Sequence, residues 1–305
     1  MSPRGGPRLL QGAPIAAEIR AGVKDAVVAY ERRNGYRPTL AVVIVGRDAP
    51  SAVYLQQILR SCRNVGVHGR MVEVSGRASN ARLRAVIEGL NDDPLINGVI
   101  VQMPLPRHLD LWTVLDSLDP AKDIDGIHPL NAGLLALGYD GFLPATARAA
   151  VEILVRSGIE LKGKRAVVVG RSNVVGKPAA LLLLREHATV TIAHSRTHDL
   201  RAVLKTADVV VAAIGRPRLI TGAMLKRGAV VVDVGINVVD GVLVGDVDFA
   251  SARDVVSAIT PVPGGVGPVT NAILLTQLLQ AADRQAATGG RRRKARRPAP
   301  IGAVH

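Results

Sequence analysis

Lys122-Asp123-Ile124-Asp125-Gly126 sets two carboxylates at alternate positions just before a glycine. Such a pair can cap a helix, close a turn, hold a cation or accept hydrogen bonds from a ligand. No other acidic cluster stands near it in the sequence, so no metal is expected. Val101-Gln102-Met103-Pro104 offers an amide at the end of an apolar run, either as a ligand contact or as a strand-end residue serving backbone groups. In Ser51–Cys62 (SAVYLQQILRSC), Tyr54 and Ile58 stand one helical turn apart on one face. Isoleucine can neither activate water nor carry a proton. Arg60 lies on a different face and stays protonated, and no lysine occurs between Lys24 and Lys122.

Two glycine-bearing segments suggest ligand cradles. Gly170-Arg171-Ser172-Asn173-Val174-Val175-Gly176 closes an apolar strand and opens a helix. Backbone N–H groups at such a turn favour phosphate, and glycine permits close approach. The middle glycine of the common GxGxxG pattern is absent. Arg171 follows the strand directly, and the next strand ends in Ala193-His194-Ser195-Arg196-Thr197 with no acid before Asp199. A guanidinium there suits a 2′-phosphate, so the pattern favours NADP over NAD. The plainer alternative makes Arg171 and Ser195 exposed loop residues. Thr260-Pro261-Val262-Pro263-Gly264-Gly265-Val266-Gly267-Pro268 fixes a tight non-helical path, which a simple domain crossover would also explain.

The elements that position these groups alternate. Helical periodicity over 16–32, a buried strand at 39–45, a helix from Ser51, a strand at 71–74, a helix at 80–90 and a strand at 98–102 imply a mostly parallel sheet covered on both faces. A helix at 146–157 then leads into strands at 165–170, 189–193, 209–214 and 229–234, a dinucleotide-binding arrangement. A final helix covers about 270–282. The expected fold is therefore α/β with two domains and a cleft between them. Residues 1–143 form the first, completed by the C-terminal helix 270–284, and residues 144–269 form the second, a Rossmann-type domain.

These motifs together resemble the 5,10-methylenetetrahydrofolate dehydrogenase/cyclohydrolase (FolD) family over about residues 8–284. The family's active-site helix reads Ser-x-x-Tyr-Val-x-x-Lys-x-Lys-x-Cys; here Ser51, Tyr54 and Cys62 are in register, and Ile58 occupies the catalytic lysine position. The nucleotide turn at 168–178, His194–Thr197, Lys122–Gly126, Val101–Pro106 and Pro263–Pro268 match as well. The resemblance implies that Tyr54 packs on the folate, Asp125 holds the pterin and Gln102 assists. It also implies that Gly170, Arg171, Ser172, Ser195 and Ile236 hold NADP, and that Gly264, Gly265 and Val266 border the folate. Departures gather on the folate side: Ala145, Ala147 and Ala149 interrupt a Pro-Cys-Thr-Pro-x-Gly pattern, Leu134 replaces a basic residue, and Val269 a methionine. NADP-dependent oxidation of methylenetetrahydrofolate is then the expected activity, with the cyclohydrolase step lost or severely reduced. A non-catalytic folate- or NADP-binding homologue, or a reductase for a related pterin or iminium substrate, are the alternatives. A homodimer is implied.

Bulk properties bound the rest. The 305 residues are 48% hydrophobic and 21% charged, a globular composition. The net charge of +14 comes partly from Arg291, Arg292, Arg293, Lys294, Arg296 and Arg297. That tail, 286–305, is expected to be disordered and solvated, with non-specific nucleic-acid or anionic-surface contact as the lesser reading. Specific nucleic-acid binding is not expected. The lone Cys62 excludes an intramolecular disulfide and points to the cytoplasm. No apolar run approaches the roughly 18 residues that span a bilayer.

Overall fold

The computed structural model describes residues 6–46 and 49–295, and of residues 49–54 and 289–295 the backbone alone. The chain starts with strand β1 (Arg8–Leu9), helix α1 (Gly12–Asn34), β2 (Thr39–Val45), α2 (Ala49–Val65), β3 (His68–Val74), α3 (Asn80–Asp92) and β4 (Gly98–Val101). Helices α4 (Leu111–Ser117), α5 (Pro129–Leu137) and α6 (Ala145–Arg156) lead into the second half. There β5 (Arg165–Val169), α7 (Gly176–Arg185), β6 (Thr189–Ala193), α8 (Leu200–Lys205), β7 (Val209–Ala212) and β8 (Val230–Asp233) alternate. A hairpin of β9 (Asn237–Val239) and β10 (Val242–Val244), then α9 (Phe249–Ala252), β11 (Ala258–Ile259) and α10 (Val266–Ala295), close the chain.

Two parallel sheets result. The first has three strands in the order β3-β2-β4, and the second six in the order β1-β11-β8-β7-β5-β6. Strand β2 shows why the first sheet is covered on both sides. Its TLAVVIV run turns Leu40, Val42 and Ile44 toward a core shared with α1, α2 and α10, while Ala41 and Val43 meet Leu83, Ile87 and Val114 of α3 and α4. Successive β residues point to opposite faces, so a strand buried on both must be apolar throughout. In the second sheet Val168, Val211 and Val232 likewise face one cluster, and Val167, Val210 and Val231 the other.

Helix ends carry local signals. Ser79 Oγ accepts from Arg82 N at 3.2 Å to cap α3, and Asp110 accepts from Trp112 N at 2.9 Å to cap α4. His128 Nδ1 takes Leu130 N at 3.0 Å at the start of α5, with Pro129 filling the first helical position. At the other end of α3, buried Lys122 donates through Nζ to the carbonyls of Leu90, Asn91 and Asp93 at 3.0, 2.6 and 2.7 Å. A buried lysine satisfying helix-terminal carbonyls is a structural anchor.

Two boundaries differ from the sequence expectation. Arg8 and Leu9 pair in parallel with Ala258 and Ile259, so the start of the expected first domain forms the edge of the second sheet. Helix α10 spans Val266–Ala295 rather than 270–284, because Arg, Lys and Ala after residue 290 sustain a helix. The tail expected to be disordered from 286 thus begins as helix, and residues 296–305 lie outside the described residues.

Helix α10 packs on α1 and α6 and ties the halves together. Buried Gln277 donates from Nε2 to Ile124 O (2.7 Å) and Leu143 O (2.9 Å), and its Oε1 accepts from Leu143 N at 2.8 Å. Replacing Gln277 with alanine would strand three buried backbone groups. The expected cost is about 2–4 kcal/mol, read as a lower urea midpoint.

Candidate active site

The residues singled out in the sequence stand at the C-terminal ends of parallel strands, where open α/β sheets place ligands. In the second sheet β5 lies between β6 and β7, the point at which the strand order reverses. Gly170, at the end of β5, has φ +133°, and a Cβ there would collide with the Ala213 carbonyl beyond β7. A Cβ on Gly176 would lie 2.8 Å from Arg171 N. Glycine at both ends lets the turn fold back on itself. Ser172 Oγ accepts from Val175 N (3.1 Å) and Gly176 N (3.2 Å), fixing the start of α7.

Arg171 and Ser195 are exposed on this edge. The loop carrying Ser195 is braced by His194 N donating to Thr197 Oγ1 at 2.9 Å and by Arg196 N donating to His194 Nδ1 at 3.1 Å. The turn, the open helix start and the exposed guanidinium fit a nucleotide phosphate group.

Two acids to which the sequence reading gave no role hold the rest of this edge. Buried Asp246 accepts from Ile214 N (2.6 Å), Gly215 N (2.9 Å), Arg216 N (2.9 Å) and Asn237 Nδ2 (2.9 Å). Asp233 accepts from Gly235 N (2.9 Å), Asp246 N (3.0 Å) and Val247 N (2.9 Å). Burial pushes Asp233 up to about 6, against the pull of those N–H groups. The sequence signal was an acid ending a valine strand and another following Gly245. Between the tethered Gly235 and Asn237 stands Ile236, an apolar side chain 71% exposed. Two fixed neighbours hold it out in solvent.

On the first sheet, Val99 bridges Asp123 in parallel and Val99 N donates to Lys122 O at 2.8 Å. The 122–125 segment therefore runs beside β4 and carries Asp125 toward the end of that strand, where Gln102 follows. Asp123 is consumed structurally: it accepts from Ile127 N (3.2 Å), His128 N (2.8 Å) and Asn131 Nδ2 (2.8 Å). Asp125 is half-buried, with its carboxyl pushed up to about 7 by desolvation and by the neighbouring Asp123. Gly126 (φ +69°) is required behind it, since a Cβ there would lie 2.6 Å from Pro144 N. Gln102 donates from Nε2 to Met103 O at 3.1 Å and is half-buried.

Ile58 is 2% exposed and belongs to the apolar core with Leu55, Cys62 and Val42. The side chain of Tyr54 lies outside the described residues. Gly264 accepts from Gly12 N at 2.9 Å through its carbonyl, which docks the glycine loop on the start of α1, and Gly265 and Val266 are buried behind it. No group of three or more His, Cys, Asp or Glu is placed to hold a metal among the described residues. Nor is any described helix long and apolar enough to cross a membrane.

Residues 10–125 match the tetrahydrofolate dehydrogenase/cyclohydrolase catalytic domain, and residues 144–286 the NAD(P)-binding domain of the same enzymes. The chain belongs to the FolD family. It is 50% identical over 281 residues to the bifunctional protein FolD of Roseiflexus sp. (strain RS-1), covering 92% of this chain and 98% of that one. The bifunctional FolD of Moorella thermoacetica is also 50% identical, over 278 residues, covering 91% and 99%. Among solved structures, the Trypanosoma brucei FolD, complexed with NADP cofactor and inhibitor, superposes with a TM-score of 0.89 at 37% identity, covering 92% and 99%. The Campylobacter jejuni FolD gives 0.88 at 39%, covering 90% and 98%. The two-domain α/β architecture and the NAD(P)-binding character of the second half are thus those of FolD enzymes.

The Asp125 carboxyl has a consequence for stability. Between its ordinary 3.8 and about 7, the folded chain holds a proton that the unfolded chain releases. Stability is complete below that window, falls as pH rises through it and is level above. Asp125→Asn removes this slope, and urea midpoints collected from pH 4 to 8 would record a flatter profile.

Proposed function

We propose that the protein is an NADP-dependent 5,10-methylenetetrahydrofolate dehydrogenase in which hydrolysis of the methenyl product is lost or severely reduced. The observation that carries the reading is Ile58. By the resemblance it takes the place of the FolD pattern's catalytic lysine, and its side chain is buried in the apolar core. Hydrolysis needs water activation and proton transfer, which an aliphatic group cannot supply. Hydride transfer needs no obligatory base and depends on orientation.

The chain's own groups divide that task. Tyr54 stacks on the folate. The Asp125 carboxylate accepts from the pterin amino group and ring N–H as a bidentate pair, and Gln102 steadies the reacting end. Gly264, Gly265 and Val266 border the folate. Gly170 and Ser172 form the phosphate turn, and Arg171 and Ser195 meet the 2′-phosphate. Ile236, held in solvent between tethered neighbours, covers the nicotinamide end and excludes water there. Bound NADP supplies the hydride acceptor.

The expected assembly is a homodimer in the cytoplasm. Support for self-association comes from apolar groups left exposed where α5 packs on α7: Leu137 on α5, Tyr139 just after it and Leu184 on α7. Exposed apolar groups gathered in this way mark an interaction surface. Sedimentation of wild type and Tyr139→Glu would register a dimer that the variant weakens.

The chemistry is checked in two steps. Purified protein is expected to reduce NADP with methylenetetrahydrofolate, while methenyltetrahydrofolate decays at its spontaneous rate. Enzyme-accelerated decay would overturn the assignment of Ile58. Arg171→Ala should weaken NADP about 10- to 100-fold, a loss of one or two charge-assisted contacts, with NAD affinity unchanged.

A further inference from the structure

Among the described residues, Asn271 Oδ1 is the buried side-chain polar atom without a hydrogen-bond partner. The residue is 9% exposed. An unpaired acceptor in the interior destabilises the fold, and leucine, of nearly the same shape, would avoid the penalty. Core packing therefore gives no reason for an amide at this position.

Its place in the helix indicates what it faces. Gln285 reaches Asn97 O and Ala121 O, while Gln277, two turns nearer the start of α10, reaches Ile124 O and Leu143 O. Helix α10 thus runs antiparallel to β4 and to the 122–125 segment. Six residues before Gln277, about 9 Å at 1.5 Å per residue and so between two and three residues of extended chain, Asn271 lies past Asp125, level with the chain just beyond the end of β4. Leu278, seven residues on, shares its stripe of the helix. A Cβ on Gly98 would lie 2.8 Å from Leu278 Cδ1, so that stripe faces the first sheet. Helix α10 also packs on α2, which carries Ile58. Asn271 therefore stands on the stripe of α10 turned to the first sheet, near the end of β4 that Gln102 follows.

We propose that Asn271 is a positioning residue of the folate half-site, its amide oxygen accepting a hydrogen bond from an N–H of the reduced pterin. This inference rests on the folate reading given above. The terminal torsion of an asparagine is broad, so the amide turns from the core to the ligand when one arrives. It adds a polar contact in a half-site where the buried aliphatic Ile58 offers none.

The test compares wild type with Asn271→Leu, and with Asn271→Ala in case the leucine fails to pack. Melting temperature is measured without ligand, and tetrahydrofolate and NADP affinities by calorimetry. Asn271→Leu should melt higher than wild type, bind tetrahydrofolate about tenfold more weakly, as for one lost hydrogen bond, and bind NADP unchanged. Asn271→Ala should melt lower and show the same selective loss. Unaltered tetrahydrofolate affinity in either folded variant overturns the proposal. So does an equal loss of NADP and tetrahydrofolate binding, the signature of general damage. A wild-type protein that binds no tetrahydrofolate sinks the folate reading, and this proposal with it.

Discussion

The three hydrogen bonds of the Gln277 amide are the constraint on which much of the architecture depends. They join the last helix to Ile124, one residue before Asp125, and to Leu143, one residue before the crossover at Pro144. An amide suits the task because it donates and accepts at once, satisfying backbone groups that no strand partner reaches. The leucines of α10 supply the apolar contact around it, and the amide sets the register. Slippage along the helix would leave buried carbonyls unpaired on both segments.

The nucleotide edge is built by a different device. Asp233 and Asp246 are carboxylates used as scaffolding, each accepting several backbone N–H groups from loops that no regular ladder supports. The glycines beside them leave room for this: Cβ atoms on Gly235 and Gly245 would run into Asp246 and Asp233. Two buried acids this close repel each other, and hydrogen bonding to each offsets that cost. The result is a rigid rim that presents Ile236 to solvent without burying it.

The alternation of strands and helices was legible because strands buried on both faces must be apolar along their buried run, as β7 is throughout and β2 and β5 are after their first residue. The phosphate turn and the 122–126 segment were legible because glycine and acids at fixed spacing have few structural uses. Strand β1 was not legible: two residues carry no periodicity, and their pairing with β11 spans nearly the whole chain. Asp233 and Asp246 were given no role because acids at strand ends normally face solvent, and only the folded chain shows the loops that converge on them. Lys122 and Asp123 stood in one motif with Asp125, to which alone the resemblance gave a site role. In the fold they are anchors, and nothing in their spacing separates an anchor from a ligand contact.

The pairing of Arg8–Leu9 with β11 also bears on how the protein can be cut and rejoined. The chain starts in the sheet of one half, builds the other half, returns at residue 144, and crosses again in α10. Neither half is therefore one continuous stretch of sequence. A fragment ending near residue 143 lacks its closing helix, and one starting there lacks its edge strand. New termini for a permuted or split version belong in an exposed surface turn such as Asp240-Gly241, because a break at the crossover would cut one of the three covalent links between the halves, beside the Leu143 groups that Gln277 holds.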